Sequence, residues 1–204
     1  MTYILPSIAL SGPRGSGKTT IARLLKERYF MERHSWAAPV KVIAAMAYGP
    51  IAKATPVTVR RDGRPVRTTG LDIFQRIGTD ALRSQVDEDF WINVGVHAIE
   101  PDVLYVNDDT RFPNEAAVLR EMGWCIVRLF TADEERQRRL VARGDSDMSV
   151  DHRSEHWWEI EPDLTVDNTN EAPEETLDHL LNLVVQRRQV GRYAVTKGGG
   201  RAAA

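Results

Sequence analysis

Residues 11–20 contain glycines, a lysine and threonines with the spacing G-x-x-x-x-G-K-[ST]. An apolar run at 3–10 precedes them and an amphipathic helix pattern follows from residue 21, which is the context of a phosphate-binding loop. Such glycines let successive backbone N–H groups point inward at a helix N-terminus, where the partial positive charge suits polyphosphate. The pattern therefore predicts a nucleoside triphosphate site made of Gly12, Arg14, Gly15, Ser16, Gly17, Lys18, Thr19 and Thr20.

Two side chains of this loop have specific chemistry. Lys18 is expected to reach the β- and γ-phosphates, and the hydroxyl of Thr19 is expected to ligate Mg²⁺. The alternative is a glycine-rich strand-to-helix turn with an incidental lysine and threonine. The strand and helix patterns on either side favour the triphosphate site.

Two adjacent carboxylates, Asp108 and Asp109, follow a short apolar run at 103–106 that is typical of a buried parallel strand. Residues just beyond the carboxyl end of such a strand face the ligand crevice of an open α/β sheet. Beside a phosphate loop, the pair would hold Mg²⁺ through water or accept a proton, and Arg111 would contact a second phosphate. Asp108 is the predicted metal ligand. Helix capping is the alternative, although a cap needs only one of the two acids.

The charge is unevenly distributed along the chain. Residues 1–70 hold 12 Lys and Arg against 3 acids, a balance of +9, whereas residues 71–204 hold 15 against 26, a balance of −11. Residues 56–69 predict a hairpin turning at Asp62-Gly63. Its cations are Arg60, Arg61, Arg64 and Arg67. The hairpin is interpreted either as a solvent-exposed flap or as an arm that grips a polyanion such as DNA.

Two further groups of cations have open interpretations. Lys41 lies in the first turn of a helix predicted from Pro39, where it would contact a phosphate or be a plain surface lysine. The helix predicted at 71–85 carries Asp72, Arg76, Asp80 and Arg83 on one face. That spacing is typical of an exposed ladder of ion pairs.

Five short apolar runs alternate with helix patterns, which predicts an α/β fold with a parallel sheet wound on both faces. The expected strands are 3–10, 34–38, 103–106, 124–130 and 163–167. The single cysteine, Cys125, is expected in the core, so no disulfide framework is available. His152 and His156 have no useful spacing with other metal ligands. No apolar run approaches the roughly 18 residues of a membrane span, and no signal segment is evident.

Several segments resemble the phage-type deoxynucleoside monophosphate kinases, in the same order over most of residues 5–185. They are Ala38-Pro-Val-Lys41, Leu71-x-x-Phe-Gln75-Arg-Ile-Gly78-Thr-x-x-x-Arg83, Phe90-Trp91-Ile92, Asp109-Thr-Arg111-Phe-Pro-Asn114-Glu115, His152-x-Ser154-Glu155 and Val166-Asp167-Asn168. The resemblance departs at the phosphate loop, where Lys18-Thr19-Thr20 stands in place of the expected Lys-Asp-Thr.

The resemblance implies a P-loop nucleoside-monophosphate-kinase-like three-layer fold with a five-stranded parallel sheet, and ATP and Mg²⁺ at the phosphate loop. It also implies an acceptor pocket between the 71–83 helix and Arg111, and a helical lid that supplies arginines. The implied substrate-binding residues are Lys41, Gln75, Arg76, Arg83, Trp91 and Arg111. The implied catalytic residues are Lys18, Asp108, Asp109, Arg111 and Arg139.

The acceptor is the open question. The leading hypothesis is transfer of the γ-phosphoryl group of ATP to a deoxynucleoside monophosphate, an anionic nucleophile that needs arginines. The alternative follows from related 5-hydroxymethyluracil DNA kinases, which act on a hydroxymethyl group within DNA and need a carboxylate as base. The basic hairpin favours a polymer. A third hypothesis is a nucleotide-dependent scaffold without transfer.

We expect residues 1–190 to form one kinase domain, with the hairpin at 56–69 as an insertion, a lid at 132–156 and a flexible tail at 191–204. The expected partner is a nucleotide or DNA acceptor and not a membrane, and a homodimer is left open. The expected location is the cytoplasm, that of a phage-infected host cell if the chain is phage-encoded.

Overall fold

A computed structural model describes residues 5–144 and 153–197 of the 204-residue chain. Its centre is a sheet of five parallel strands, in the spatial order β2-β5-β1-β6-β7. Numbered along the chain, these strands are β1 (Ile8–Ser11), β2 (Glu32–His34), β5 (Tyr105–Asn107), β6 (Cys125–Phe130) and β7 (Leu164–Asp167). The predicted five-stranded parallel sheet is confirmed.

Helices cover both faces of the sheet, which gives three layers. They are α1 (Lys18–Tyr29), α2 (Ala38–Tyr48), α3 (Gly70–Gln75), α4 (Phe90–Val96), α5 (Pro113–Glu121), α6 (Asp133–Ala142) and α7 (Pro173–Lys197). Apolar residues of α1 and α7 pack on one face and those of α4 and α5 on the other. Because β1 is covered on both sides, its residues form a continuous buried apolar run and show no alternation.

The predicted bounds of the second strand are wrong. The strand lies at Glu32–His34 rather than 34–38, because Ser35–Ala37 turn to begin α2. Tyr29, at the end of α1, is 37% exposed. Helix α7 continues to Lys197 and therefore overlaps the tail expected from 191, while residues 198–204 lie outside the described part of the chain.

The helix expected at 71–85 changes type within its length. Helix α3 ends at Gln75 and continues as a π-helix, Arg76–Arg83. A π-helix is closed by wider i→i+5 hydrogen bonds, so side chains four residues apart no longer lie on one face. Asp72 and Arg76 still pair at 3.1 Å across the boundary, whereas Arg83 turns inward and is buried. The prediction of an exposed ladder is therefore wrong at Arg83.

The hairpin forms as predicted from β3 (Pro56–Arg61) and β4 (Arg64–Thr69), with Asp62 and Gly63 both at positive φ in the turn. One face of the ribbon is held against the body, where Arg61 and Thr68 donate to Asp72 at 2.6 and 2.7 Å. Arg60 and Arg67 are exposed on the other face.

His34 links three elements beneath the site. Its Nδ1 accepts a hydrogen bond from Asn107 Nδ2 at 2.9 Å, and its Nε2 donates to the carbonyl of Gly95 at 3.2 Å. This pair of roles requires the neutral imidazole with the proton on Nε2. Burial lowers the pKa of His34 below 6.5 and outweighs the opposing contributions of the Gly95 carbonyl and Asp109. The ring therefore joins β2, β5 and α4 only while it is neutral.

We predict that the free energy of unfolding decreases below pH 6.5, because the unfolded chain takes up a proton on His34 more readily than the folded protein does. Because the folded-state pKa is lowered, stability is fully present above the unfolded-state pKa and falls with pH, by at most about 1.4 kcal/mol per unit. Urea unfolding at pH 7.5, 6.5 and 5.5 measures this slope. His34→Gln should flatten it, whereas His179→Gln, at an exposed histidine, should not. An equal slope in wild type and His34→Gln would contradict the assignment.

Candidate active site

The phosphate loop connects β1 to α1 and depends on glycine at three positions. Gly12, Gly15 and Gly17 have φ values of +131°, +84° and +87°. A Cβ at Gly12 would lie 2.5 Å from the carbonyl oxygen of Leu129, and one at Gly15 would lie 2.8 Å from Arg136 Cγ. The loop backbone can approach Leu129 and Arg136 this closely only because positions 12 and 15 have no side chain.

The loop fits an anion. No side chain caps the N-terminus of α1, and its first turn has no acid, so the N–H groups there remain available. The buried hydroxyls of Ser11 and Ser16 have no hydrogen-bond partner among the described residues. Unsatisfied donors at a helix N-terminus are what a polyphosphate needs.

Lys18 is folded back onto its own loop. Its Nζ donates to the carbonyls of Gly12 and Pro13 at 2.7 and 2.8 Å. Burial and the nearby Arg111 lower the pKa of Lys18 to about 7, although Glu155 and Asp108 act in the opposite direction. A bound polyphosphate would supply the negative charge that this ammonium lacks. Thr19 lies beside it with an exposed side chain on the cavity wall.

A cavity of about 270 Å³ extends from the phosphate loop across to the π-helix. Its far wall is apolar and aromatic, and comprises Trp36, Val40, Leu71, Phe74, Trp91 and Phe112. Leu71 and Phe74 bring the apolar side chains of α3 to this wall. Trp91 is fixed by a hydrogen bond from its Nε1 to the carbonyl of Gly78 at 2.6 Å. A flat apolar group would fit against this wall.

The two predicted carboxylates have different surroundings. Asp108 accepts two hydrogen bonds of 2.9 Å from Arg33. Asp109 caps α2 and accepts from Ser35 Oγ and from the backbone N–H groups of Trp36 and Ala37, at 2.5, 3.1 and 3.0 Å. Both oxygens of Asp109 thus bind the turn that precedes α2. Asp108 pairs with an arginine whose side chain is half-exposed.

Arg111 lines the cavity between these acids and the phosphate loop. Its Nη1 donates to Glu155 at 2.6 Å. Burial lowers the pKa of Arg111, but Glu155, Asp109 and Glu115 together raise it by more, so the guanidinium is charged. A carboxylate therefore occupies the position on Arg111 where a phosphate oxygen would bind.

The buried ion pair between Arg83 and Glu115 supports the backbone at Arg111. Arg83 Nη2 donates to Glu115 Oε1 at 2.6 Å, and both side chains are at most 5% exposed. The other oxygen of Glu115 accepts from the N–H groups of Arg111 and Phe112 at 2.8 and 3.2 Å. Burial raises the pKa of Glu115, with Arg83 opposing it. The pair therefore fixes the backbone from which Arg111 extends.

The structure brings most of the predicted site residues together. Lys41, Gln75, Arg83, Trp91 and Arg111 line the cavity, together with Arg14, Gly15, Gly17, Lys18, Thr19, Thr20, Asp108 and Asp109. Arg76 points outward to Asp72. Arg139 lies beside the phosphate loop, where its Nη2 donates to the carbonyl of Asn168 at 2.8 Å. His152 lies outside the described residues.

Several residues of the cavity wall were not assigned to the site from the sequence, among them Arg33, Lys53 and Glu155. Arg33 and Lys53 belong to no motif, so only the fold brings them here. Glu155 lies within the resemblance but had no role. Asn168 supports the phosphate loop and likewise had no role, because its Nδ2 donates to the carbonyl of Ser16 at 2.9 Å.

Within residues 5–144 and 153–197, no cluster of three or more His, Cys, Asp or Glu could hold a metal ion. Thr19 and Asp108 remain suited to Mg²⁺, which usually takes one or two protein ligands and completes its coordination with phosphate and water. No helix in the same part of the chain is long and apolar enough to cross a membrane.

Solved structures of two kinases share this fold. A shikimate kinase from Acinetobacter baumannii aligns with a TM-score of 0.55 and 18% identity over 90% of this chain and 94% of its own. A gluconokinase from Sinorhizobium meliloti aligns with the same TM-score and identity over 94% and 98%. The three-layer fold and its phosphate loop therefore have the architecture of a P-loop kinase.

A sequence relative defines the family. A protein of Acanthamoeba polyphaga mimivirus, named "Putative deoxynucleotide monophosphate kinase", is 30% identical over 144 residues, which are 60% of this chain and 72% of that protein. No protein-family model matches the chain. The chain belongs to the same family of P-loop kinases as the mimivirus protein. It is a kinase, and the hypothesis of a scaffold without transfer is excluded.

We predict that Arg83→Met destabilises the protein by about 3–5 kcal/mol, because it leaves the carboxyl group of Glu115 in the interior without its ion-pair partner. Arg76→Met should cost less than about 1 kcal/mol, since the Asp72–Arg76 pair is exposed. Chemical denaturation measures both. Adding Glu115→Gln to Arg83→Met should recover part of the loss. Equal losses for the two single variants would mean that the buried pair has no special role.

We also predict that ATP binding takes up a proton on Lys18. Because the pKa of Lys18 is about 7 in the free protein and an anion would raise it, affinity should rise as pH falls from 9 to 7.5, by up to about tenfold per unit. Titration calorimetry in buffers of different ionisation enthalpy measures the uptake. Lys18→Met should abolish both the uptake and phosphoryl transfer without unfolding the protein. Unchanged turnover in that variant would overturn the site assignment.

Proposed function

We propose that this kinase transfers the γ-phosphoryl group of ATP to the 5′-phosphate of a deoxynucleoside monophosphate. The observation that carries the proposal is that one continuous cavity joins the phosphate loop to an aromatic and apolar wall. Such a wall suits a nucleobase, while Lys41 and Arg111 supply positive charge between the base and the loop. The name of the mimivirus relative supports the same acceptor class.

The surroundings of the carboxylates also favour a phosphate acceptor. A nucleotide phosphate is already an anionic nucleophile near neutral pH, so it needs no general base. Asp109 has both oxygens engaged at the N-terminus of α2, and Asp108 is paired with Arg33. A hydroxyl acceptor would need one of these carboxylates to give up its donors and accept a proton.

The chain's own residues would then act by position and charge. Bound ATP and Mg²⁺ would supply the phosphoryl group and part of the charge neutralisation. Lys18 would leave the carbonyls of Gly12 and Pro13 for the β- and γ-phosphates. Thr19 would hold Mg²⁺, and Asp108 would hold it through water while keeping its pair with Arg33. Arg111 would exchange Glu155 for phosphoryl oxygens. An oxygen of the acceptor phosphate forms the new P–O bond as the bond to ADP breaks, so no proton is transferred.

A second candidate is a kinase that phosphorylates 5-hydroxymethyluracil within DNA. The observation that favours it is the hairpin, which exposes Arg60, Arg64 and Arg67. A two-stranded ribbon with exposed arginines suits the phosphate backbone of a polymer. The ribbon has no aromatic residue for stacking on bases, which is less favourable for single strands.

We predict that, in one incubation with γ-labelled ATP and Mg²⁺, label passes to a deoxynucleoside monophosphate and not to DNA containing 5-hydroxymethyluracil. The Arg60→Ala, Arg64→Ala double variant should keep full activity on the nucleotide. If DNA is labelled instead, the double variant should weaken that reaction and reduce its salt dependence, by roughly 0.9 in logarithmic slope for each lost phosphate contact. Label in DNA alone would overturn the leading proposal in favour of the second.

A further inference from the structure

Lys53 lies on the cavity wall at the base of the hairpin, in the turn that connects α2 to β3. No carboxylate in the described part of the chain lies within ion-pair distance of its ammonium, although ion pairs bind Arg33, Arg83 and Arg111 nearby. A cation that is kept at a cavity without a protein partner is suited to a ligand anion.

The electrostatic surroundings of Lys53 are mainly positive. Lys53 is an exposed residue of the cavity wall. Desolvation by the surrounding protein lowers its pKa, Arg111, Arg14 and Lys41 lower it further, and Glu155 opposes them. Cations repel one another when they converge, so this arrangement costs free energy in the absence of an anion. Lys41, which lines the same cavity, likewise has no ion-pair partner among the described residues.

The backbone of the Lys53 turn is fixed rather than loose. The carbonyl of Lys53 accepts from Leu71 N, and that of Thr55 accepts from Gly70 N, both at 2.9 Å. Within the turn, Ala52 N donates to Thr55 Oγ1 at 2.8 Å. These bonds join the turn to the end of β4 and the start of α3, and thereby close the hairpin at its base.

Gly70 permits this closure. A Cβ at position 70 would lie 2.1 Å from the carbonyl oxygen of Ala52, a backbone atom that cannot swing aside as a side chain would. The turn could not pack where it does with any other residue at position 70. The close approach therefore sets the position from which Lys53 reaches the cavity.

We propose that Lys53 is a substrate-binding residue that, together with Lys41, binds a phosphate group of the acceptor on the hairpin side of the cavity. The hairpin is then part of the acceptor site, because its closed base carries one of the two lysines. The inference rests on the proposed function for the identity of the acceptor. The phosphate is the 5′-monoester of a free nucleotide or, for the second candidate, a backbone phosphate of DNA.

Binding without transfer gives the first test. Lys53→Met removes the charge and keeps most of the side-chain length, so the dissociation constant of a deoxynucleoside monophosphate, measured calorimetrically without ATP, should rise about 10- to 100-fold. The affinity for ATP should not change. Lys53→Arg should keep most of the affinity. Lys26→Met, at an exposed lysine paired with Glu32, is the matched control and should change neither constant.

Gly70→Ala gives a second variant that leaves the lysine in place. Displacement of the Ala52 turn should weaken nucleotide binding in the wild-type background but add nothing to Lys53→Met. Thermal unfolding checks that each variant is folded. Additive effects of the two substitutions would overturn the role of Gly70 in placing Lys53.

The outcomes separate this inference from the proposed function. If the wild type phosphorylates a deoxynucleotide and Lys53→Met binds and turns over that nucleotide normally, the role of Lys53 is wrong while the function stands. If the wild type phosphorylates no nucleotide yet Lys53→Met weakens nucleotide binding, the function is wrong while the phosphate subsite stands. A loss confined to the binding of duplex oligonucleotides identifies the ligand as a backbone phosphate.

Discussion

The buried ion pair between Arg83 and Glu115 connects the parts of this molecule that form its site. Arg83 belongs to the π-helix, and Glu115 to the first turn of α5. The guanidinium also lies 4.1 Å from the centre of the Phe112 ring. One carboxylate thereby holds both the acceptor wall and the backbone of Arg111. A buried charge without its partner destabilises a protein, so the π-helix and α5 cannot move apart without a large cost in free energy.

Several cations of the cavity are bound to oxygen atoms of the protein itself. Arg111 donates to Glu155, and Lys18 donates to the carbonyls of its own loop. These are internal substitutes for phosphate oxygens, and each can be exchanged without moving the sheet. Electrostatic preorganisation of this kind is the main contribution that a protein makes to phosphoryl transfer.

The sequence was sufficient for the sheet and the phosphate loop, because both follow from local patterns of glycine and apolar residues. It was insufficient where the partner of a side chain comes from another element. The sequence did not show that Asp109 would bind the turn before α2, that Asn114 would donate to Asp89, or that Glu115 would pair with Arg83. Arg33 and Lys53 carry no local signal. The burial of Arg83 was missed because periodicity arguments assume α-helical spacing throughout.

The π-helix has a consequence for how the acceptor site can change through insertion and deletion. A π-helical segment accommodates one more residue than an α-helix of similar span. Removing one residue from 76–83 would favour an ordinary α-helix of the same span. If all eight residues were instead kept in an α-helix, every later side chain would be rotated by about 100° around the axis, and Arg83 would turn away from Glu115. The length of this segment therefore constrains which side chains form the wall, independently of their identity.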